Sequence, residues 1–141
     1  MTERIEALAR LCRQFEIEIL YAFGSRAQEV KEWLTGPRFE LPSSPSDVDI
    51  GVKVVSETTL SVHEQVRLAL ALKDLLGAAQ VDLVCLSNAD PFVAANIVRG
   101  VRLYARDSYQ ADEYELYILR RAGDLAPLER ERMALILEKS R

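Results

Sequence analysis

Ile17-Glu18-Ile19-Leu20-Tyr21-Ala22-Phe23-Gly24-Ser25-Arg26-Ala27 and, further on, Ser46-Asp47-Val48-Asp49-Ile50-Gly51-Val52 decide how this chain is organised. The first piece is an apolar run ending in Gly-Ser; the second is an acidic pair opening another apolar run. Each reads as a buried strand with polar chemistry at one end. A Gly-Ser just past a strand can open a helix whose free backbone N–H groups face an anion, with the serine hydroxyl as a further donor. Aspartates at i and i+2 of a strand point to one face, because side chains alternate with a period of two. Two hard carboxylates beside a phosphate cradle are the donor set that Mg²⁺ and a nucleotide's phosphates require.

Outward from this stretch, the pattern alternates helix and strand. Ile5, Leu8, Leu11, Cys12 and Phe15 give residues 3–15 the spacing of an amphipathic helix, with Thr2 as its N-cap. A short helix is expected from Ser25 to about Leu34, and the breakers Gly36-Pro37 and Pro42-Ser43-Ser44-Pro45 make roughly 35–46 a loop. Asp47 to Val55 is the second strand. Ser61-Val62-His63-Glu64 is a capping box, followed by a stripe of Val62, Val66, Ala69, Leu72 and Leu76 that ends near Gly77. Gln80 to Leu86 is a third strand, interrupted by Asp82. Asp90-Pro91 supplies N-cap and N1 of a helix through Arg99, Gly100 stops it, and Val101–Ala105 is a fourth strand. Residues 109–138 read as helical in two pieces, with a break between Gly123 and Pro127. The order implies a two-layer α/β or α+β domain.

The totals bound the function. A chain of 141 residues suits one domain, here a core of 1–108 with a helical extension at 109–141. At 49% hydrophobic and 28% charged residues, the chain falls in neither the disordered nor the membrane class. No apolar run approaches the ~18–20 residues that span a bilayer. The acidic, discontinuous N-terminus does not read as a signal peptide, and Cys12 and Cys85 lack metal or redox spacing, so free thiols and a cytoplasmic location are expected. A net charge of −4 argues against a grip on long nucleic acid and leaves a basic protein partner open.

Asp82 is a lone carboxylate in an apolar strand, and a buried ion needs a cation, a strong donor or water. If its strand neighbours that of Asp47 and Asp49, three carboxylates converge and phosphoryl or nucleotidyl transfer fits. Singly, each motif has a blander reading: Gly-Ser is usually a turn, and Asp-x-Asp is often a solvated strand end. Arg26 reads as a helix-surface or salt-bridge residue, and the single histidine, His63, as exposed surface. Trp33 and Phe39 are packing residues or a surface on which adenine stacks. Tyr109, Tyr114 and Tyr117 read as core or partner contacts.

In order, Gly24-Ser25-Arg26-Ala27, Ser46-Asp47-Val48-Asp49-Ile50-Gly51-Val52 and Val81-Asp82-Leu83-Val84 resemble the signature of the DNA polymerase β-type nucleotidyltransferase superfamily. The small size, together with Ile97-Val98-Arg99-Gly100-Val101-Arg102-Leu103-Tyr104 and Asp124-Leu125-Ala126-Pro127-Leu128, is similar to minimal nucleotidyltransferases (MNT), the antitoxins paired with HEPN-domain ribonuclease toxins. The resemblance implies a mixed, largely antiparallel sheet flanked by helices, with a C-terminal helical tail. It implies ATP as substrate, two Mg²⁺ ions, and transfer of AMP to a tyrosine of the toxin. Carried over by position, Gly24 and Ser25 contact nucleotide phosphate, and Asp47, Asp49 and Asp82 are the catalytic, metal-holding triad. Asp82 is also the group to help deprotonate the acceptor.

The chain departs from the family where Gln28-Glu29 replaces an Arg-Gly pair and a longer run precedes Asp47. That run puts the acceptor more in question than the metal site. Two other readings therefore compete: transfer to a small-molecule hydroxyl, and an antitoxin that inhibits by contact alone. The tail's Leu116, Leu119, Leu128, Leu135 and Ile136 exceed what a small core needs and mark a partner surface.

Overall fold

A computed structural model describes residues 2–36, 41, 46–56 and 58–139. Four strands form one sheet: β1 (Ile17–Phe23), β2 (Val48–Val54), β3 (Val81–Cys85) and β4 (Val101–Ala105), in the order β3-β2-β1-β4. The β1 strand runs antiparallel to both β2 and β4, whereas β2 and β3 are parallel. This is the mixed, mostly antiparallel sheet that the resemblance implied.

Helices cover both faces, so the expected two layers are three. The helices α1 (Thr2–Gln14), α2 (Ala27–Thr35) and α3 (Val62–Leu76) pack on one face, and α4 (Pro91–Val98) and α5 (Ser108–Lys139) on the other. The cause is visible in β1, where Ile17, Leu20 and Ala22 enter the first core while Ile19 and Tyr21 enter the second. A central strand apolar on both sides must be covered on both. At β2 the alternation splits by chemistry: Val48, Ile50 and Val52 enter the first core, which leaves Asp49, Gly51 and Lys53 on the α4–α5 face. Gly51 lets α4 in, because a Cβ there would collide with the Ile97 side chain.

Local signals decide most boundaries. The capping box holds: Glu64 N donates to Ser61 Oγ at 3.1 Å, and Ser61 N to Glu64 Oε1 at 3.2 Å. Phe92 N donates to the Asp90 carboxylate at 2.8 Å to cap α4. The stripe expected on α3 holds at Leu72 and Leu76 but not at its start: Leu68 is buried with them, while Val62 and Val66 face out. Both choices have helical spacing, and only docking chooses between them. The N-cap expected at Thr2 falls on a side chain outside the described residues.

Residues 108–139 form one helix, with no break between Gly123 and Pro127. Pro127 lacks the N–H that would reach the Gly123 carbonyl, and its ring crowds that same turn. The helix nevertheless continues, with that hydrogen bond missing. Its first half is anchored to the sheet. The fully buried Tyr21 donates its hydroxyl to Glu115 Oε1 at 2.7 Å, and Arg102 Nη1 donates to Glu115 at 3.1 Å and to Asp112 at 2.9 Å. Ala111, Ile118 and Ala122 are buried and Leu119 packs against them, which removes Leu119 from the expected partner surface. Past residue 129 the side chains through residue 138 are exposed, among them Leu135, Ile136 and Leu137, and Leu128 is exposed as well. Among the described residues, no helix is long and apolar enough to cross a membrane.

Candidate active site

The chemistry gathers at one end of the sheet. Asp49 pairs with Phe23 of β1 on one side and with Asp82 of β3 on the other. Neighbours at one register point to the same face, so the two carboxylates stand together. Asp47 precedes β2 by one residue and is exposed, as is Asp82, while Asp49 is half-buried. Gly24 follows Phe23 with φ +75°, a conformation that suits glycine, and any Cβ there would collide with Asp49 Oδ2. The absent side chain thus lets the Gly-Ser turn lie directly against the acidic pair.

Electrostatics agree with this crowding. The Asp49 carboxyl is held above its ordinary value, first by loss of water around it, then by the negative charges of Asp82 and Asp47. Like charges this close disfavour one another's ionisation. A divalent cation is the species that would relieve the repulsion. Among the described residues, no group of three or more His, Cys, Asp or Glu side chains stands ready to enclose a metal. For Mg²⁺ that is no obstacle, because it is commonly held by one or two carboxylates with substrate phosphates and water completing the shell. The donor set is hard oxygen throughout and the residues fit.

The turn itself differs from expectation. Helix α2 begins at Ala27, so Ser25 lies in the preceding turn, exposed. Ala27 N donates back to the Gly24 carbonyl at 3.3 Å, which closes the turn before the helix starts. Arg26, at the N-cap position, is the buried charged residue among those described, at 4% exposure, so of the two expected roles, helix surface or salt bridge, it takes the salt bridge. Its Nε and Nη2 reach Glu29 Oε2, each at 3.1 Å, and its Nη1 donates to the Ser46 carbonyl at 3.3 Å. A Glu three residues after an Arg hinted at the ion pair. Nothing in the sequence hinted at Ser46.

Other candidates resolve plainly. Trp33 is buried in the first core under the Arg4 guanidinium, 4.9 Å from the ring centroid, so it is packing and not an adenine shelf. Phe39 lies outside the described residues, as does most of the loop before Ser46. His63 is exposed, as expected. Cys12 is buried and Cys85 half-buried, both as free thiols. Two clefts, of about 490 and 600 Å³, lie at the opposite end of the sheet around Val55, and none of the five site residues lines either.

Comparison with known proteins gives this arrangement a context. The sequence model of the family described as "Polymerase beta, Nucleotidyltransferase" matches residues 6–109. No curated protein matches the chain in sequence. Among solved structures, a toxin–antitoxin with AMP-PNP is similar at 25% identity and a TM-score of 0.66, over 97% of this chain and 98% of that one. A tri-AMPylated Shewanella oneidensis HEPN toxin in complex with MNT antitoxin is similar at 21% identity and 0.65, over 99% and 98%. The toxin–antitoxin MntA–HepT is similar at 20% identity and 0.65, over the full length of both chains. The last two likenesses speak for the fold.

Proposed function

The chain belongs to the polymerase beta nucleotidyltransferase family, and from that premise we propose that it is a Mg²⁺-dependent antitoxin that transfers AMP from ATP to a tyrosine of a cognate HEPN ribonuclease toxin. The observation that carries this reading is the register pair Asp49–Asp82 beside Gly24. The whole-length likeness to a toxin–antitoxin protein solved with AMP-PNP supports it. A location in the cytoplasm, with the toxin, goes with the proposal.

In this reading the chain's own groups divide the work. Gly24 and Ser25 hold the outer phosphates through backbone N–H and hydroxyl donors. Asp47 and Asp49 hold the metal, and Asp82 completes the acidic set. When bound, Mg²⁺ neutralises phosphate charge and eases ionisation of the attacking hydroxyl. The tyrosine oxygen forms a bond to the α-phosphorus, the bond from that phosphorus to the bridging oxygen breaks, and pyrophosphate leaves. Asp82, exposed at the edge of the set, takes the phenolic proton. The toxin docks on the outer part of α5, where Leu128, Leu135 and Ile136 extend beyond the core of the domain.

The test is direct: purified chain, Mg²⁺, α-labelled ATP and the toxin should give a labelled toxin whose mass rises by adenylate. Equal labelling by Asp47→Asn with Asp49→Asn would sink the reading. The exposed apolar end of α5 also suits an antitoxin that inhibits by contact alone. Under that second reading the aspartate variants would still protect cells from the toxin.

A further inference from the structure

We infer that Arg26 is a positioning residue for the metal-holding aspartates, acting through the backbone that delivers Asp47. The inference rests on the nucleotidyltransfer reading and extends it to a residue outside the phosphate turn and the acidic set. Arg26 sits at the start of α2, directly after Ser25, and its guanidinium is withdrawn from water. A buried guanidinium needs its N–H groups satisfied, and its planar fork can serve two acceptors at fixed angles. Here one arm holds Glu29 in the first turn of α2, and the other holds the carbonyl of Ser46. Ser46 is the residue before Asp47.

The consequence is geometric. Asp47 lies outside β2, which begins at Val48, so the strand ladder does not fix its approach. Val48 N donates to the Gln80 carbonyl at 3.0 Å and anchors the chain just after it; Arg26 anchors the chain just before it. Asp47 is thereby held between two restraints on its backbone, one from Gln80 just before β3 and one from Arg26 at the start of α2. The Arg26 fork restrains the chain at Ser46 from across the site. It also links two halves of the chemistry, since movement of the Gly24-Ser25 turn moves the guanidinium that holds Ser46.

Arg26→Lys tests this, because lysine keeps the charge but cannot bridge Glu29 and Ser46 with one nitrogen. The probe is Mn²⁺ binding in the presence of AMP-PNP, followed by calorimetry at a temperature well below the melting point. The expected result is about tenfold weaker Mn²⁺ binding, as for other residues that orient metal ligands, with a melting point lowered by less than about 5 °C. Glu29→Ala removes the acceptor that orients the fork from a half-exposed position; it should weaken Mn²⁺ binding about tenfold while folding normally. Wild-type affinity in either folded variant overturns the inference, as does a fall in melting point with no change in affinity. If the unaltered chain binds neither Mn²⁺ nor AMP-PNP, the nucleotidyltransfer reading fails first and this inference with it.

Discussion

Asp49 and Asp82 occupy one register position on adjacent parallel strands, and the Asp49 carboxyl is held above its ordinary value first by burial and then by the charges of Asp82 and Asp47. Two carboxylates brought together at a strand end, with a third one period earlier, do not stabilise a fold. Under the proposed function, their place is beside the metal and the nucleotide's phosphates.

Asp49→Asn should therefore separate stability from function. A group whose folded pKa is raised keeps its proton more readily in the folded chain, so its ionisation at neutral pH works against folding. Removing the charge should raise the melting point by roughly 1–3 °C, a small effect because the carboxylate is partly solvated. Label transfer to the toxin should fall roughly a hundredfold or more. Calorimetric melting and a transfer assay on the same preparation check both halves.

Gly24→Ala should fail on two counts. Alanine at φ +75° costs roughly 1–2 kcal/mol, and its methyl meets the Asp49 carboxylate. The expected outcome is a urea midpoint lowered accordingly, together with lost AMP-PNP binding. Gly77→Ala is the informative control. It shares the positive φ, at +69°, but a Cβ there meets nothing within 4 Å. It should lower the midpoint and leave nucleotide binding intact.

Leu128→Asp with Leu135→Asp should leave the folded chain unharmed, since the two side chains are 63% and 55% exposed. The toxin complex should weaken by about tenfold or more if these residues are its apolar anchors. Unchanged affinity would move the docking surface elsewhere.

Stability should be flat through neutral pH and decline above about pH 9. Burial pushes the Cys12 thiol up from 9.0 to about 12 and the Tyr114 phenol from 10.0 to about 12. Tyr21 is raised further, by burial and then by its bond to Glu115. In the unfolded chain these groups ionise near their ordinary values, while in the folded chain they stay protonated. Their contribution is complete below the unfolded pKa and is lost as pH rises towards the folded one. Each group adds about 1.4 kcal/mol per pH unit to the slope inside its window. Cys12→Ala should flatten the decline between about pH 9 and 12 by one such increment, as urea unfolding at stepped pH will show.

Much of this was legible beforehand because the signals are local. Capping boxes, Asp-Pro starts and apolar runs act within a few residues, and they placed four strands and most helices to within a turn. Two readings of the helices differ from the structure. The α3 stripe holds at Leu72 and Leu76, but Val62 and Val66 face out and Leu68 is buried, because helical spacing admits both choices and only contact with the sheet selects one. Between Gly123 and Pro127 the helix runs on without the one hydrogen bond that proline cannot make.

By itself, the sequence determined that Gly24, Ser25, Asp47 and Asp49 stand at strand ends, since period-two alternation and turn chemistry leave them little else to do. Only tertiary structure decided that β3 lies parallel beside β2, which turns Asp82 from a lone buried-strand carboxylate into Asp49's neighbour. Only tertiary structure buried Arg26 and aimed it at Ser46. Strand order and the partner of a buried charge are long-range choices, made by which surfaces pack together, and no window of sequence contains both surfaces.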